Sequence, residues 1–481
     1  MTTATVKTKG LTAPGPRGSL VMGNLAEYMR DPIAMLCRLR REYGDVARNP
    51  LGPYVTHLIS HPDDIRWVLQ ENQANYIRGR FYDNFKPFFG EGLLTTDGDF
   101  WLRHRKLVQP LFHRRRVDTC SEEIQASVDE MLQRWEKYSR SGEDFDIVPE
   151  MMRLTLSVLG RMIFGVDVGH MAEVIGPAVR LGVAAMMPQG NIHDFLPRWM
   201  PTAHNRQISN AKQTLLNVMD WVREQRSHMP RNGNDLSSLL LSAVDEETQE
   251  RLTEKEVQDE MMTIFLAGHE TTGSGLAWSL YALATHPEVR VRLEEELRQT
   301  LGDRPPSAAD LPNLPYLCMV IDECLRVYPP IWGFTRDAAG EDEIRGYRIP
   351  AGSSIFVSPY VTHRHPDFWE NPEAFDPERF APEAAAKRPR FAYFPFGGGP
   401  RQCIGIHMAK LQMQLAVAMV IQRYRFETVP GHPIERGATV SLRPVSGIRM
   451  TLEPARQTFV PTGHPAARQG QNGAAVCPFA H

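Results

Sequence analysis

The chain has 481 residues with 54 basic and 57 acidic side chains, and 42% of it is hydrophobic. That is the balance of a soluble globular protein with up to about three domains or one large core. A net charge of -3 gives no bulk attraction to nucleic acid or to an anionic membrane. Six irregularly spaced cysteines without a CxxC pair argue against a disulfide framework and for a reducing, cytoplasmic setting.

Residues 1 to 24, rich in Thr, Gly and Pro, predict an extended lead-in and lack the apolar stretch of a signal peptide or anchor. Apolar spacing at Ile33, Leu36 and Leu39 predicts a helix over Pro32 to Tyr43, closed by Gly44. A strand is expected at Val55 to Ser60, with a helix starting at His61-Pro62. Helical patterns follow at Asp118 to Tyr138, Met151 to Phe164 and Asn205 to Gln225. A long one runs from Thr253 past Ala284, with Thr253 and Glu256 in capping-box spacing. Gly268, Gly273 and Gly275 each weaken that helix by about 1 kcal/mol against Ala, so another gain should offset them. After Pro329-Pro330 the chain turns Pro-, Gly- and β-branched-rich, with strands expected at Ser354 to Val357, Val440 to Leu442 and Ile448 to Leu452. A last helix is expected over Ile404 to Tyr424, and residues 456 to 481 as a loosely ordered tail. No apolar run is long enough to span a bilayer, so membrane insertion is not expected.

The stretch Phe394-Pro395-Phe396-Gly397-Gly398-Gly399-Pro400-Arg401-Gln402-Cys403-Ile404-Gly405 delivers one cysteine to the start of a helix. Its glycines permit positive φ and let a large flat ligand approach the backbone. The helix N-terminus favours negative charge, so Cys403 is expected as a thiolate, and a buried lone thiolate calls for a metal. On the elements Phe396-x-x-Gly399-x-Arg401-x-Cys403-x-Gly405, the chain resembles the cytochrome P450 superfamily, soluble bacterial-type members included. Glu323-x-x-Arg326 and Phe375-Asp376-Pro377-Glu378-Arg379-Phe380 are similar to two further elements of that family. So is Ala267-Gly268-His269-Glu270-Thr271-Thr272 on the long helix.

The resemblance implies a mainly α fold with a small β lobe, a single helix-rich haem domain over residues 25 to 455, and haem b between the long helix and the cysteine loop. Cys403 would be the axial metal ligand, and Glu323, Arg326 and Arg379 would brace the loop. Ala267 and Gly268 would face the oxygen site, where Gly268 opens a groove. Glu270 and Thr271 would hold water and pass protons. Trp101 and Arg105 of a WxxxR element, with Arg336 and Arg401, are implied cofactor-binding partners of the propionates, joined around the haem by Phe396 and Gly405. His104 reads as part of a solvated helix face, and His363, His365 and His407 are not proposed as ligands.

The implied reaction is oxygenation of a hydrophobic small molecule, such as a terpenoid, fatty acid or polyketide-like natural product, with O2 as co-substrate. Electrons would come ultimately from NAD(P)H through a ferredoxin and its reductase. The run Arg103, Arg105, Lys106, Arg114, Arg115, Arg116 offers a surface for such an acidic partner. Expected pocket segments are Phe81 to Leu94, Met186-Met187, Phe265-Leu266, Ile331 to Phe334 and the Val445 turn. A peroxide-driven peroxygenase is the alternative enzyme reading, although it needs no Glu270-Thr271 relay. A haem sensor, hinted at by Cys477-Pro478, is the reading from another class.

Overall fold

The computed structural model describes residues 10–19, 21–186, 200, 202–228, 235–245 and 247–455. The expected tail, Cys477 and Met187 lie outside the described residues. Among those described, ten helices of more than ten residues carry the fold. They are α1 Pro32–Tyr43, α2 Gly98–Val108, α3 Ser121–Ser141, α4 Ile147–Phe164, α5 Ala172–Met186, α6 Ala203–Ser227, α7 Glu254–Thr285, α8 Pro287–Leu301, α9 Pro315–Val327 and α10 Ile406–Arg423.

Local chemistry sets several of these boundaries. Asp31 caps α1 by accepting the Ala34 amide at 2.9 Å, and Gly44 ends it at φ +85°. The capping box forms as expected: Thr253 Oγ1 accepts the Glu256 amide and Glu256 accepts the Thr253 amide at 2.8 Å. Beyond that cap α7 is buried on nearly every side, as a helix without a single apolar stripe must be.

The α7 glycines recover their helix penalty through close packing. A Cβ on Gly273 would stand 2.7 Å from Met152 Sδ of α4, and one on Gly275 3.1 Å from Met413 Cε of α10. One on Gly268 would stand 3.1 Å from Leu159 Cδ2 of α4. Gly268 therefore also serves helix approach, besides lining the cavity where an opening for dioxygen is expected. The largest apolar core joins α3, α4, α7, α9 and α10 around side chains such as Trp135, Leu276, Leu317 and Val417.

A five-stranded sheet packs beside the helices, from β1 Val46–Leu51, β2 Tyr54–Ile59, β3 Tyr76–Ile77, β4 Phe334–Ala338 and β5 Ser354–Val357. Its order is β1-β2-β5-β4-β3, with β2 and β5 parallel and the other neighbours antiparallel. Strand β1, which carries Pro50, was not among the expected strands. As an edge strand it tolerates the missing proline amide. Helix α8 was also unexpected; it begins at Pro287, which occupies the first helical turn.

The described part of the lead-in is tied down from Leu11 onward. The Leu11 amide donates to Gly346 O at 3.0 Å, Arg348 donates to Leu11 O at 2.9 Å, and Arg48 donates to Pro14 O at 2.8 Å. Among the described residues no helix is long and apolar enough to cross a membrane.

Candidate functional site

A cavity of about 1160 Å³ lies between α7 and the cysteine loop. Two glycines shape that loop. Gly397 and Gly399 take φ of +71° and +67°, and a Cβ on Gly399 would collide with the Leu69 carbonyl. The turn is closed by the Gly397 amide on Phe394 O at 2.9 Å and the Cys403 amide on Phe396 O at 3.0 Å. Helix α10 starts just beyond, with Gly405 at its N-cap. Cys403 faces the cavity, whose lining also includes Phe396, Arg401 and Gly405. It is the one thiol on that lining among the described residues.

Desolvation by the surrounding protein pushes the Cys403 thiol up although its side chain is open to the cavity, and the Gly405 amide and the Arg105 charge oppose that shift. A metal cation would hold the thiolate.

Behind the loop, α9 supplies Glu323 and Arg326, both fully buried. Arg326 Nε and Nη2 donate to the two Glu323 oxygens at 2.6 and 2.8 Å. The same guanidinium donates to the carbonyls of His363 at 3.0 Å, Pro372 at 2.7 Å and Ala374 at 2.8 Å. Arg379 Nε comes within 3.6 Å of Glu323 but forms no hydrogen bond there. The third leg of the expected triad is thus a loose one, and the 363–374 backbone takes its place. His363 extends the brace: its Nδ1 lies 3.3 Å from Arg326 O and its Nε2 accepts the Phe394 amide at 3.0 Å. Burial and the neighbouring arginines hold this imidazole well below its usual range, so it is neutral. It ties α9 directly to the first residue of the cysteine loop, a role that its His-Arg-His-Pro context does not reveal.

Five arginines, Arg78, Arg80, Arg105, Arg336 and Arg401, reach the cavity lining, and Arg80 is paired with Asp337 at 3.4 Å. Arg401 stacks on Trp101 at 3.8 Å, donates to Thr96 O at 2.9 Å and pairs with Asp97. Burial, then repulsion from Arg78 and Arg336, lowers it to about 9 despite Asp97. Arg78 is lowered to about 10, chiefly by burial, and its Nε has no hydrogen-bond partner. Arg336 sits on β4 and donates to Thr335 O at 2.8 Å, and Arg105 donates to Gln402 O at 2.9 Å. So much like charge around one space, with an orphaned buried donor, calls for an anion. Arg78 escaped the sequence reading because it stands alone in a loop, outside any recurring spacing.

On the opposite wall, Ala267, Gly268 and Thr271 of α7 line the cavity. Thr271 Oγ1 donates to Ala267 O at 2.7 Å, which leaves its lone pairs as acceptors. Glu270 is buried outside the lining, where its carboxylate accepts the Ser441 hydroxyl at 2.7 Å. Ser441 was not anticipated.

A family model described as Cytochrome P450 matches residues 13–449. The chain belongs to the cytochrome P450 family. This P450 is 33% identical over 441 residues to "Cyclooctatin synthase" of Streptomyces melanosporofaciens, covering 91% of this chain and 95% of that one. It is 31% identical over 446 residues to "Pentalenene oxygenase" of Streptomyces avermitilis, covering 92% and 96%. Among solved structures, "Retinoic acid bound cyanobacterial CYP120A1" superposes with a TM-score of 0.82 at 25% identity, covering 93% of this chain and 100% of that one. Family membership implies a haem and a dioxygen-dependent monooxygenase. The residues present suit that group: a thiol facing the floor, arginines short of anions and an apolar space above.

The rest of the P450 cavity wall differs from expectation in detail. Phe81, Leu93, Leu94 and the 331–334 segment line it as expected. Phe265 and Leu266 do not: they are buried in the core, Phe265 against Phe164, and their α7 neighbours Thr263 and Ile264 line the space. Val445 is half exposed, and Thr439 and Val440 take its place. The side chain of Met186 lies outside what is described.

The expected basic run is split. Arg105 faces the cavity, Arg103 pairs with Glu256 and Lys106 bonds Glu247 at 3.1 Å, while Arg114 and Arg115 are exposed. His104 is fully buried against Glu260, because α2 turns this side of itself onto α7.

Proposed function

We propose that this P450 oxygenates a terpenoid-like hydrophobic natural product in the cytoplasm, with electrons passed from NAD(P)H through a ferredoxin and its reductase. The observation that carries the reading is Cys403 facing a large apolar cavity that five arginines share with Ala267, Gly268 and Thr271. The haem-bearing region is taken as residues 25 to 455. Two Streptomyces relatives whose names refer to cyclooctatin and pentalenene support the terpenoid class.

In this reading Cys403 would ligate the haem iron, and Trp101, Arg78, Arg105, Arg336 and Arg401 would hold the propionates. Phe396, Gly405, Ala267 and Gly268, which line the same cavity, would contact the group. When bound, the haem supplies dioxygen activation, which thiolate donation favours. The chain's own work is positioning and proton control. Aromatic and aliphatic side chains from segments 81–94 and 331–334 exclude water and orient the substrate. Thr271 accepts a hydrogen bond from water at the oxygen side. Glu270, held by Ser441 behind the wall, is the acid from which that water is recharged.

Thr271→Ala is expected to keep its haem but divert most of the consumed NAD(P)H to hydrogen peroxide, measured as the ratio of peroxide to product. Unchanged coupling would remove the relay. Arg78→Leu is expected to weaken haem retention about tenfold, the worth of one bond to a charged group. It should raise the melting temperature of the haem-free protein by relieving repulsion, as scanning calorimetry of both forms would show. The substrate class is tested by screening cyclic terpenes for a substrate-induced spin-state shift and for oxygenated products with a ferredoxin system. Robust turnover with peroxide and none with ferredoxin would replace this reading by a peroxygenase.

A further inference from the structure

His104 and Glu260 are both fully buried, outside the machinery assigned above. His104 Nδ1 lies 2.7 Å from Glu260 Oε1, so α2 and α7 are joined by a hydrogen bond that solvent does not reach. The imidazole is fixed on its other side by Glu256 at 3.3 Å and by Phe100 stacked 4.2 Å away. The second Glu260 oxygen points at the cavity wall. It accepts the Leu93 amide at 3.3 Å, and the adjacent Asp259 accepts the Glu91 amide at 3.1 Å.

The segment held this way is stiff. Thr95 Oγ1 donates to Gly90 O at 2.7 Å and Thr96 Oγ1 to Gly92 O at 2.8 Å, so it moves as a unit. Its outer face carries Leu93 and Leu94 into the cavity. Gly92 lies flush against α7: a Cβ there would stand 2.5 Å from Thr263 Oγ1 and 3.2 Å from Glu260 Oε2.

We propose that the His104–Glu260 pair is a specificity-determining positioning device: by gripping the Leu93 amide it sets how far the 90–96 segment stands over the cavity, and hence the bulk of ligand admitted. This rests on the reading that the cavity takes haem and a hydrophobic substrate. Replacing the carboxylate by an amide should preserve the grip. The amide oxygen would take Leu93 and its NH2 would meet the other tautomer of His104. Replacement by a methyl should not.

The test uses haem-loaded full-length protein and two azole probes, imidazole and 4-phenylimidazole, titrated by their Soret shifts. Glu260→Ala should change the ratio of the two dissociation constants fivefold or more, and Glu260→Gln less than twofold. Gly92→Ala displaces the same segment without removing a charge, and should change the ratio as Glu260→Ala does. That keeps the proposal exposed if Glu260→Ala fails to fold. Amide hydrogen exchange at Leu93 should quicken at least tenfold in Glu260→Ala and stay within twofold in Glu260→Gln. A ratio unmoved in Gly92→Ala, or moved in Glu260→Gln as far as in Glu260→Ala, would overturn the proposal. Failure of wild type to shift with imidazole at all would instead sink the haem reading.

Discussion

Cys403→Ser is expected to abolish the red-shifted band of the reduced, carbon monoxide-bound protein and to cut monooxygenase turnover by about three orders of magnitude or more, about 4 kcal/mol of barrier. The variant should still fold. The loop is set by main-chain bonds, Gly397 to Phe394 and Cys403 to Phe396, that a serine keeps. What a serine cannot supply is charge. A hydroxyl gives up its proton far less readily than a thiol, and Cys403 itself is pushed up by desolvation. A cation would still stabilise the sulfur anion, but not an alkoxide to the same degree. Cys318 and Cys324 are buried elsewhere, on α9, and have no access to the cavity. Persistence of the red-shifted band in the variant would mean that another donor holds the metal.

The second large effect belongs to Arg326→Leu, which should lower stability by about 3–5 kcal/mol, a large share of a typical folding free energy. It strands a carboxylate that is fully buried and deprives three backbone carbonyls of their donor. Arg379→Leu should cost far less, because Arg379 approaches Glu323 at 3.6 Å without a hydrogen bond. The deficit of Arg326→Leu should also shrink as pH falls. Burial raises the Glu323 carboxyl even with Arg326 present, so in the variant it binds a proton more tightly folded than unfolded. The penalty is therefore absent below the unfolded-state value of about 4.5, grows as pH rises above it and is complete once pH passes the folded-state value. Chemical denaturation of wild type and both variants at pH 5 and pH 8 measures the ordering and its sign. Equal losses in Arg326→Leu and Arg379→Leu would mean that the brace is a shared triad.

Most of the architecture was legible because helices announce themselves. The α1 and α7 boundaries follow from caps that lie in the local sequence, and the cysteine loop from glycines whose backbone angles few other residues adopt. What could not be read was decided across the fold. Phe265 and Leu266 differ from Ile264 only by their phase around α7, which no spacing within a buried-all-round helix reveals. His104 looked solvated among Arg103, Arg105 and Lys106, yet it turns onto Glu260 of α7 while Arg105 faces the cavity and Lys106 reaches Glu247. Arg78, Ser441 and His363 act through partners far away in the chain, the Arg336–Arg401 group, Glu270 and Phe394.

The glycines of α7 carry a last consequence. Because Met152, Leu159 and Met413 close upon that helix at the positions where side chains are missing, it has no slack to slide or swell. New selectivity in this scaffold would have to arise at the perimeter, in the turns bearing Phe81, Leu93, Ile331 and Val440, while the rod that faces the chemistry stays put.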